Sequence, residues 1–231
     1  MSAIARRVEP EWLDILPPAD PRAMRSRRDL VRVNALMSNA SIVAGALARA
    51  LPAGAGHVAE IGAGDGAFAL RVAGALGAGS GATFTLLDRQ AIVEEGTRTA
   101  LERLGWNVRS VERDVFEWLA DPATPSCDAI VANLFLHHFE SAALARMLAR
   151  IAERTGFFVA CEPRRSRTAL VASRLLGLIG CNDVTRHDAV ASVVAGFRGN
   201  ELSALWPAPA AWTLEEVPRG LFSHLFVARR A

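Results

Sequence analysis

Between Val58 and Phe68 the chain reads VAEIGAGDGAF, an acid at Glu60 followed by Gly62, Gly64 and Gly66. A short apolar run that ends in glycines and leads straight into a helical pattern can turn tightly and meet a ligand without a Cβ in the way. The helix that follows presents its free N–H groups at the same place. Three more polar residues close later apolar runs: Asp88 after TFTLL, Asp114 in RDVF, and Asn133 at the end of CDAIVAN. A carboxylate at Asp88 can take both hydroxyls of a ribose in a bidentate grip. Asp114 can accept the amino proton of an adenine while the Val115 N–H donates to the ring, and it equally fits a helix N-cap.

Groups able to move a proton are histidines. His137 and His138 follow Asn133 by about one turn, and His187 sits in DVTRHDAV, where Thr185 and Asp188 fit the capping box of a helix start. Any of the three can serve as a general base, and His138 and His187 are favoured over His137. His224 alternates with apolar residues and reads as an ordinary strand histidine. All 26 basic residues are arginine, and Tyr is absent. A Schiff-base or phosphate-loop lysine and a tyrosine acid are therefore excluded. The arginine clusters Arg22 to Arg32 and Arg164 to Arg167 read as solvated faces, or as contacts for an anionic substrate. Cys127, Cys161 and Cys181 lack metal-ligand spacing and read as reduced core thiols of a cytoplasmic protein. No carboxylate cluster calls for a metal.

These residues need a scaffold, and the apolar patterning supplies one. Short β-rich runs at 57–61, 83–87, 107–112, 127–133 and 156–161 alternate with helical stretches near 68–76, 92–104, 116–119 and 142–152. This predicts an α/β fold, a parallel sheet covered on both faces. WTLEEV and LFSHLFVAR, separated only by Pro218, Arg219 and Gly220, must pair antiparallel. Residues 1–53 read as an N-terminal helical extension, with helices from Met24 and from Ser41 to Leu51 stopped by Pro52, and 54–231 as the main domain. The connection 163–206 is long and apolar, so it and the extension are expected to cover a substrate. At 51% hydrophobic and 22% charged, the chain can fill a core, and a net charge of +2 demands no nucleic-acid partner. The longest apolar segment, Leu170 to Cys181, is too short to span a bilayer.

From His57 to Arg229 the order and spacing of these motifs resemble the class I S-adenosylmethionine-dependent methyltransferases of small-molecule, polyketide-associated type. The resemblance implies a Rossmann-like seven-stranded sheet of order 3-2-1-4-5-7-6 with the last strand antiparallel. It implies S-adenosyl-L-methionine as cofactor, with Glu60, Gly62, Ala63 and Gly64 around the methionine part, and Asp88 and Arg89 at the ribose. Asp114 and Val115 would then meet the adenine, and Asn133 the sulfonium. NLFL in place of an NPPY-type loop departs from the adenine and glutamine N-methylases. The expected reaction is methylation of a hydroxyl oxygen on a small apolar or aromatic acceptor, with carbon methylation as the variant; a homodimer stays open. A nicotinamide oxidoreductase would use a similar glycine loop, with Ala67 tolerated at the sixth position, but lacks a Tyr–Lys pair here. A non-catalytic binding module and an RNA methylase are the remaining alternatives, the last disfavoured by the near-neutral charge.

Overall fold

A computed structural model describes residues 4–17, 19–51, 56–77 and 81–231. Pro18, Pro52 and Ala53 lie outside these. Seven strands run β1 (His57–Ile61), β2 (Thr83–Asp88), β3 (Asn107–Glu112), β4 (Ala129–Asn133), β5 (Phe157–Pro163), β6 (Trp212–Arg219) and β7 (Ser223–Arg230). They form one sheet of order β3-β2-β1-β4-β5-β7-β6, parallel except for β7, which is antiparallel to both β5 and β6. Pro218 lies in β6, and an edge strand is where a residue with no N–H can sit. The central strands β1, β4 and β5 are buried almost throughout, as expected of parallel strands covered on both sides.

Helices α1 (Trp12–Ile15), α2 (Pro21–Met37) and α3 (Asn39–Ala50) precede the sheet. Then come α4 (Ala67–Leu76), α5 (Glu95–Arg103), α6 (Val115–Ala120), α7 (Ser141–Arg154), α8 (Arg167–Arg174) and α9 (Asp183–Ala195). One face of the sheet is covered by α3, α4 and α5 through Val43, Leu47, Val72 and Leu101. The other is covered by α6 and α7 through Trp118, Met147, Leu148 and Ile151. The extension thus divides in two. α3 belongs to the main core, with Val43 and Leu47 at 0% exposure, whereas α1 and α2 reach toward the carboxyl ends of the strands. Ser38, at φ 56, is the joint between α2 and α3.

The connection 163–206 packs α9 against α1, α2 and α8. Asp29 of α2 accepts from the Asn182 N–H at 2.8 Å and from the Thr185 hydroxyl at 3.3 Å, fixing α9 on α2. The cap of α9 is Asn182, which accepts from Thr185 N–H at 2.9 Å. The capping box expected at Thr185 is displaced, because Thr185 turns its hydroxyl inward to Ser26 and Asp29. Among the described residues no single helix is long and apolar enough to cross a membrane.

Two buried polar residues hold the antiparallel edge. His224 Nε2 lies 2.8 Å from Glu216 Oε1, and Glu216 also accepts the N–H groups of Leu202 and Ser203 at 3.0 and 2.7 Å. His224 is therefore a buried, paired residue at 1% exposure. Replacing Glu216 by Ala strands three donors without acceptors. Glu216→Ala should cost on the order of 3 kcal/mol in urea unfolding while leaving the distant glycine loop intact.

Candidate active site

β1 ends at Ile61 and the chain turns through Gly62 and Gly64, both in the left-handed region at φ 70 and 56. A Cβ on Gly62 would stand 2.2 Å from the Phe135 ring, so this glycine lets two loops close on each other. A Cβ on Gly64 would meet no atom within 4 Å, which leaves open space at the loop's outer edge. That space belongs to a cavity of about 480 Å³ at the carboxyl ends of the strands. Its walls include Glu60, Gly62, Ala63 and Gly64 from the first turn, Asp88 and Arg89 from the second, and Asp114 and Val115 from the third; Asn133 and His138 come from the fourth. Nine residues expected to hold the cofactor are thus brought to one cleft, together with one of the three candidate bases.

Asp88 is fixed by backbone donors. One carboxylate oxygen accepts the Gly64 N–H at 2.8 Å and the other accepts the Gln90 N–H at 2.9 Å. Each oxygen keeps a lone pair for the cleft. Asp114 caps α6 by accepting the Phe116 N–H at 2.8 Å, so the cap reading holds and the same side chain still lines the cavity. Glu60 is 1% exposed and its Oε2 has no hydrogen-bond partner. Burial pushes its pKa well above the usual carboxylate range, and the charges of Asp65 and Asp88 push the same way.

Asn133, 8% exposed, takes its orientation from the N-terminal extension. Ser223 Oγ donates to Asn39 Oδ1, and Asn39 Nδ2 donates to Asn133 Oδ1 at 2.9 Å. With its oxygen engaged, Asn133 turns its NH₂ toward the cleft.

The turn after β4 is organised by Glu162 at the end of β5. Its carboxylate accepts the N–H groups of Phe135 and Leu136 at 3.0 Å and of His137 at 3.3 Å, and His137 Nδ1 lies 2.8 Å away. The other ring nitrogen of His137 lies 3.3 Å from Glu11, which also receives the Ser192 hydroxyl. His137 is thus buried between two carboxylates and stands outside the cavity lining. Burial opposes the charged ring, but hydrogen bonds to Glu11 and Glu162 outweigh it and raise the pKa to about 9. Glu11 is likewise opposed by burial and brought down to about 2 by His137. His138, its ring centroid 4.2 Å from that of His137, lines the cleft, with Nδ1 3.3 Å from Asp14 Oδ2. Ligand-type atoms of Glu11, His137 and His138 lie within 4.8 Å of one another, a grouping hidden in sequence by the long separation of Glu11 from the histidines.

Glu11 and Asp14 belong to the opening part of the extension, where the sequence shows no helical repeat. Residues 4–16 lie over α9: Arg6 donates to the Ala195 and Phe139 carbonyls at 2.8 and 2.9 Å, and Asp188 accepts the N–H groups of Trp12 and Leu13 at 2.8 and 3.0 Å. Trp12 stacks on His187, centroids 4.0 Å apart. His187 is therefore packed behind this strap, 2.8 Å from Asp188, and outside the main cavity. The long connection 163–206 contributes no residue to the cavity lining either; it supports the strap and α2, which do reach it. Arg165, expected on a solvated face, is 5% exposed and donates to the Ile4 carbonyl at 3.0 Å while pairing with Glu201. Burial is offset there by three side-chain hydrogen bonds, to the Ile4 and Gly196 carbonyls and to Glu201, that sequence spacing does not reveal.

Because the folded-state pKa of His137 is raised, its contribution to stability is full below about pH 6.5, the ordinary histidine value, and is lost as pH rises through about 9. The melting temperature should fall over that window, and the fall should shrink in Glu11→Gln. An equal fall in both proteins would place the titrating group elsewhere.

Residues 58–155 match the family model described as Methyltransferase domain. Among solved structures, magnesium protoporphyrin IX methyltransferase from Synechocystis PCC 6803, with bound SAH, superposes with a TM-score of 0.58 at 14% identity, over 88% of this chain and 86% of that one. The mitomycin 7-O-methyltransferase gives 0.59 at 21%, over 95% of this chain and 60% of that one. N,N-8-amino-8-demethyl-D-riboflavin dimethyltransferase from Streptomyces davawensis gives 0.57 at 19%, over 96% and 62%. The chain thus spans about three-fifths of the length of the last two. No curated protein sequence matches it. The fold, the ordered strand-end residues and the family match converge: over residues 58–155 the chain carries a methyltransferase domain, on the fold that these enzymes share.

Proposed function

We propose that the protein methylates a hydroxyl oxygen of a small apolar or aromatic acceptor of the phenol, quinol or polyketide class. The observation that carries this reading is the position of His138, paired with Asp14, at the aromatic end of the same cleft that holds Glu60, Asp88 and Asp114. Phe135 and Phe139 line that end and meet edge to face at 5.1 Å. Structural relatives named for O-methyl transfer to mitomycin and for methyl transfer to a magnesium porphyrin support a ring-shaped acceptor.

The cleft fits the cofactor on its own chemistry. Glu60 offers a buried oxygen that lacks a donor, Gly64 leaves room, and Asp88 keeps one lone pair on each oxygen. In this reading Glu60, Gly62, Ala63 and Gly64 hold the methionine part, Asp88 and Arg89 the ribose, Asp114 and Val115 the adenine, and the Asn133 amide lies beside the sulfonium. S-adenosylmethionine supplies an electrophilic methyl whose departure leaves a neutral thioether, so no group is needed to stabilise a leaving anion. The protein's work is alignment and proton removal. Asp14 holds the Nδ1 side of His138, which leaves Nε2 for the acceptor's hydroxyl proton. A need for this base favours oxygen over an already nucleophilic carbon. His137 orients the turn that carries His138, and His187 supports the strap.

Incubation with labelled S-adenosylmethionine and a panel of phenols and quinols should yield a methyl ether. His138→Gln should lower turnover by about 10²–10⁴-fold with S-adenosylhomocysteine affinity unchanged, whereas Asp88→Ala should weaken that affinity by about 1.5–3 kcal/mol. Full turnover in His138→Gln would remove the base from the scheme.

A further inference from the structure

Among the described residues two buried oxygen acceptors lack a hydrogen-bond partner, Glu60 Oε2 and Asn34 Oδ1, and both residues line the same cavity. The other two buried orphans are tryptophan N–H groups, Trp106 and Trp206, and neither lines it. Asn34 belongs to α2, whose Arg27, Leu30, Val31 and Asn34 all line the cleft; the spacing puts them on one face of the helix. α2 is pinned on either side of Asn34. Arg71 of α4 donates to the Val31 carbonyl at 3.2 Å, and Asn39, at the start of α3, donates to Asn133 of β4. The stretch between these two anchors therefore passes over the carboxyl end of β1, where Glu60 sits.

A buried acceptor left without a donor is costly, and two of them on residues that line one cleft, one of them beside the charges of Asp65 and Asp88, describe a missing donor with several N–H groups and a positive charge. A neutral hydroxyl offers a single proton and no charge. A primary ammonium offers three protons in divergent directions.

We propose that Asn34 is a binding residue for a primary ammonium, sharing it with Glu60, and that the ammonium is that of the methionine moiety of the cofactor. This rests on the cofactor reading given above. It makes α2, which lies outside the matched family region, part of the cofactor site. An N-terminal helix would then be ordered by the amino-acid end of the ligand and present its next turns, Val31, Leu30 and Arg27, to the acceptor side.

The test is calorimetric titration of wild type, Asn34→Leu and Asn34→Asp with two probes: S-adenosylhomocysteine, and 5′-methylthioadenosine, which keeps the nucleoside and thioether but has no amino acid. Asn34→Leu should weaken S-adenosylhomocysteine by about tenfold or more, the loss of a hydrogen bond to a charged group, and leave methylthioadenosine unchanged. Asn34→Asp, which restores an acceptor, should bind S-adenosylhomocysteine within a few-fold of wild type. Unchanged S-adenosylhomocysteine affinity in Asn34→Leu overturns the proposal. So does an equal loss for both probes, which would mean that Asn34 only shapes the cleft, and so does a rise in acceptor KM alone. Failure of the wild type to bind S-adenosylhomocysteine would strike the cofactor reading itself, and the role of Asn34 would fall with it. Asn34→Ser, smaller and still polar, replaces the Leu variant if that one does not fold.

Discussion

The carboxylate of Glu162 is the point on which the acceptor half of the cleft depends. It lies at the end of a strand buried along its whole length, accepts three consecutive backbone N–H groups from the turn after β4, and holds His137 by one ring nitrogen. An anion with no exposure is tolerable only when its lone pairs are filled, and these are. The filled set fixes the turn. The rings of His137 and His138 stay side by side, centroids 4.2 Å apart, but only His138 lines the cavity, paired with Asp14, while His137 is buried against Glu11. A side chain that touches no ligand thus decides which histidine can do chemistry.

The cofactor half depends on a different constraint, the approach of two loops. The Phe135 ring lies where a side chain on Gly62 would have to go, so the glycine loop and the turn after β4 interlock at van der Waals distance. Asp88 ties the loop from the other flank through Gly64. The result is a rim built mostly of backbone held by carboxylates. Such a rim loses little entropy when a ligand arrives, because the groups it presents are already in place.

Much of this was legible in the sequence because it is local. The glycine loop with Glu60, and Asp88, Asp114 and Asn133 at successive strand ends, follow from short apolar runs and their termini, and the fold follows from their alternation. The strap was not legible. Glu11, Asp14 and Arg6 sit in a proline-interrupted stretch with no periodicity, and their partners are more than a hundred residues away. Asn34 and Asn39 were hidden for the opposite reason, as polar residues inside a helix whose apolar repeat explained the segment by itself. The connection 163–206, expected over the substrate, packs α9 on α1 and α2 and adds no residue to the cavity lining. His187 reads as a candidate base because Asp188 stands beside it, while in the fold Asp188 anchors the backbone of Trp12 and Leu13 and His187 stacks on Trp12.

The strap also sets an order of assembly. Residues 4–16 are made before the anchors they use: the Phe139 carbonyl, Glu162 through His137, Asp188, Ser192 and Ala195. The turn after β4 that meets the glycine loop likewise waits for Glu162 of β5. The acceptor side cannot close until synthesis has passed Ala195. The strap therefore finds its place only after segments made long after it.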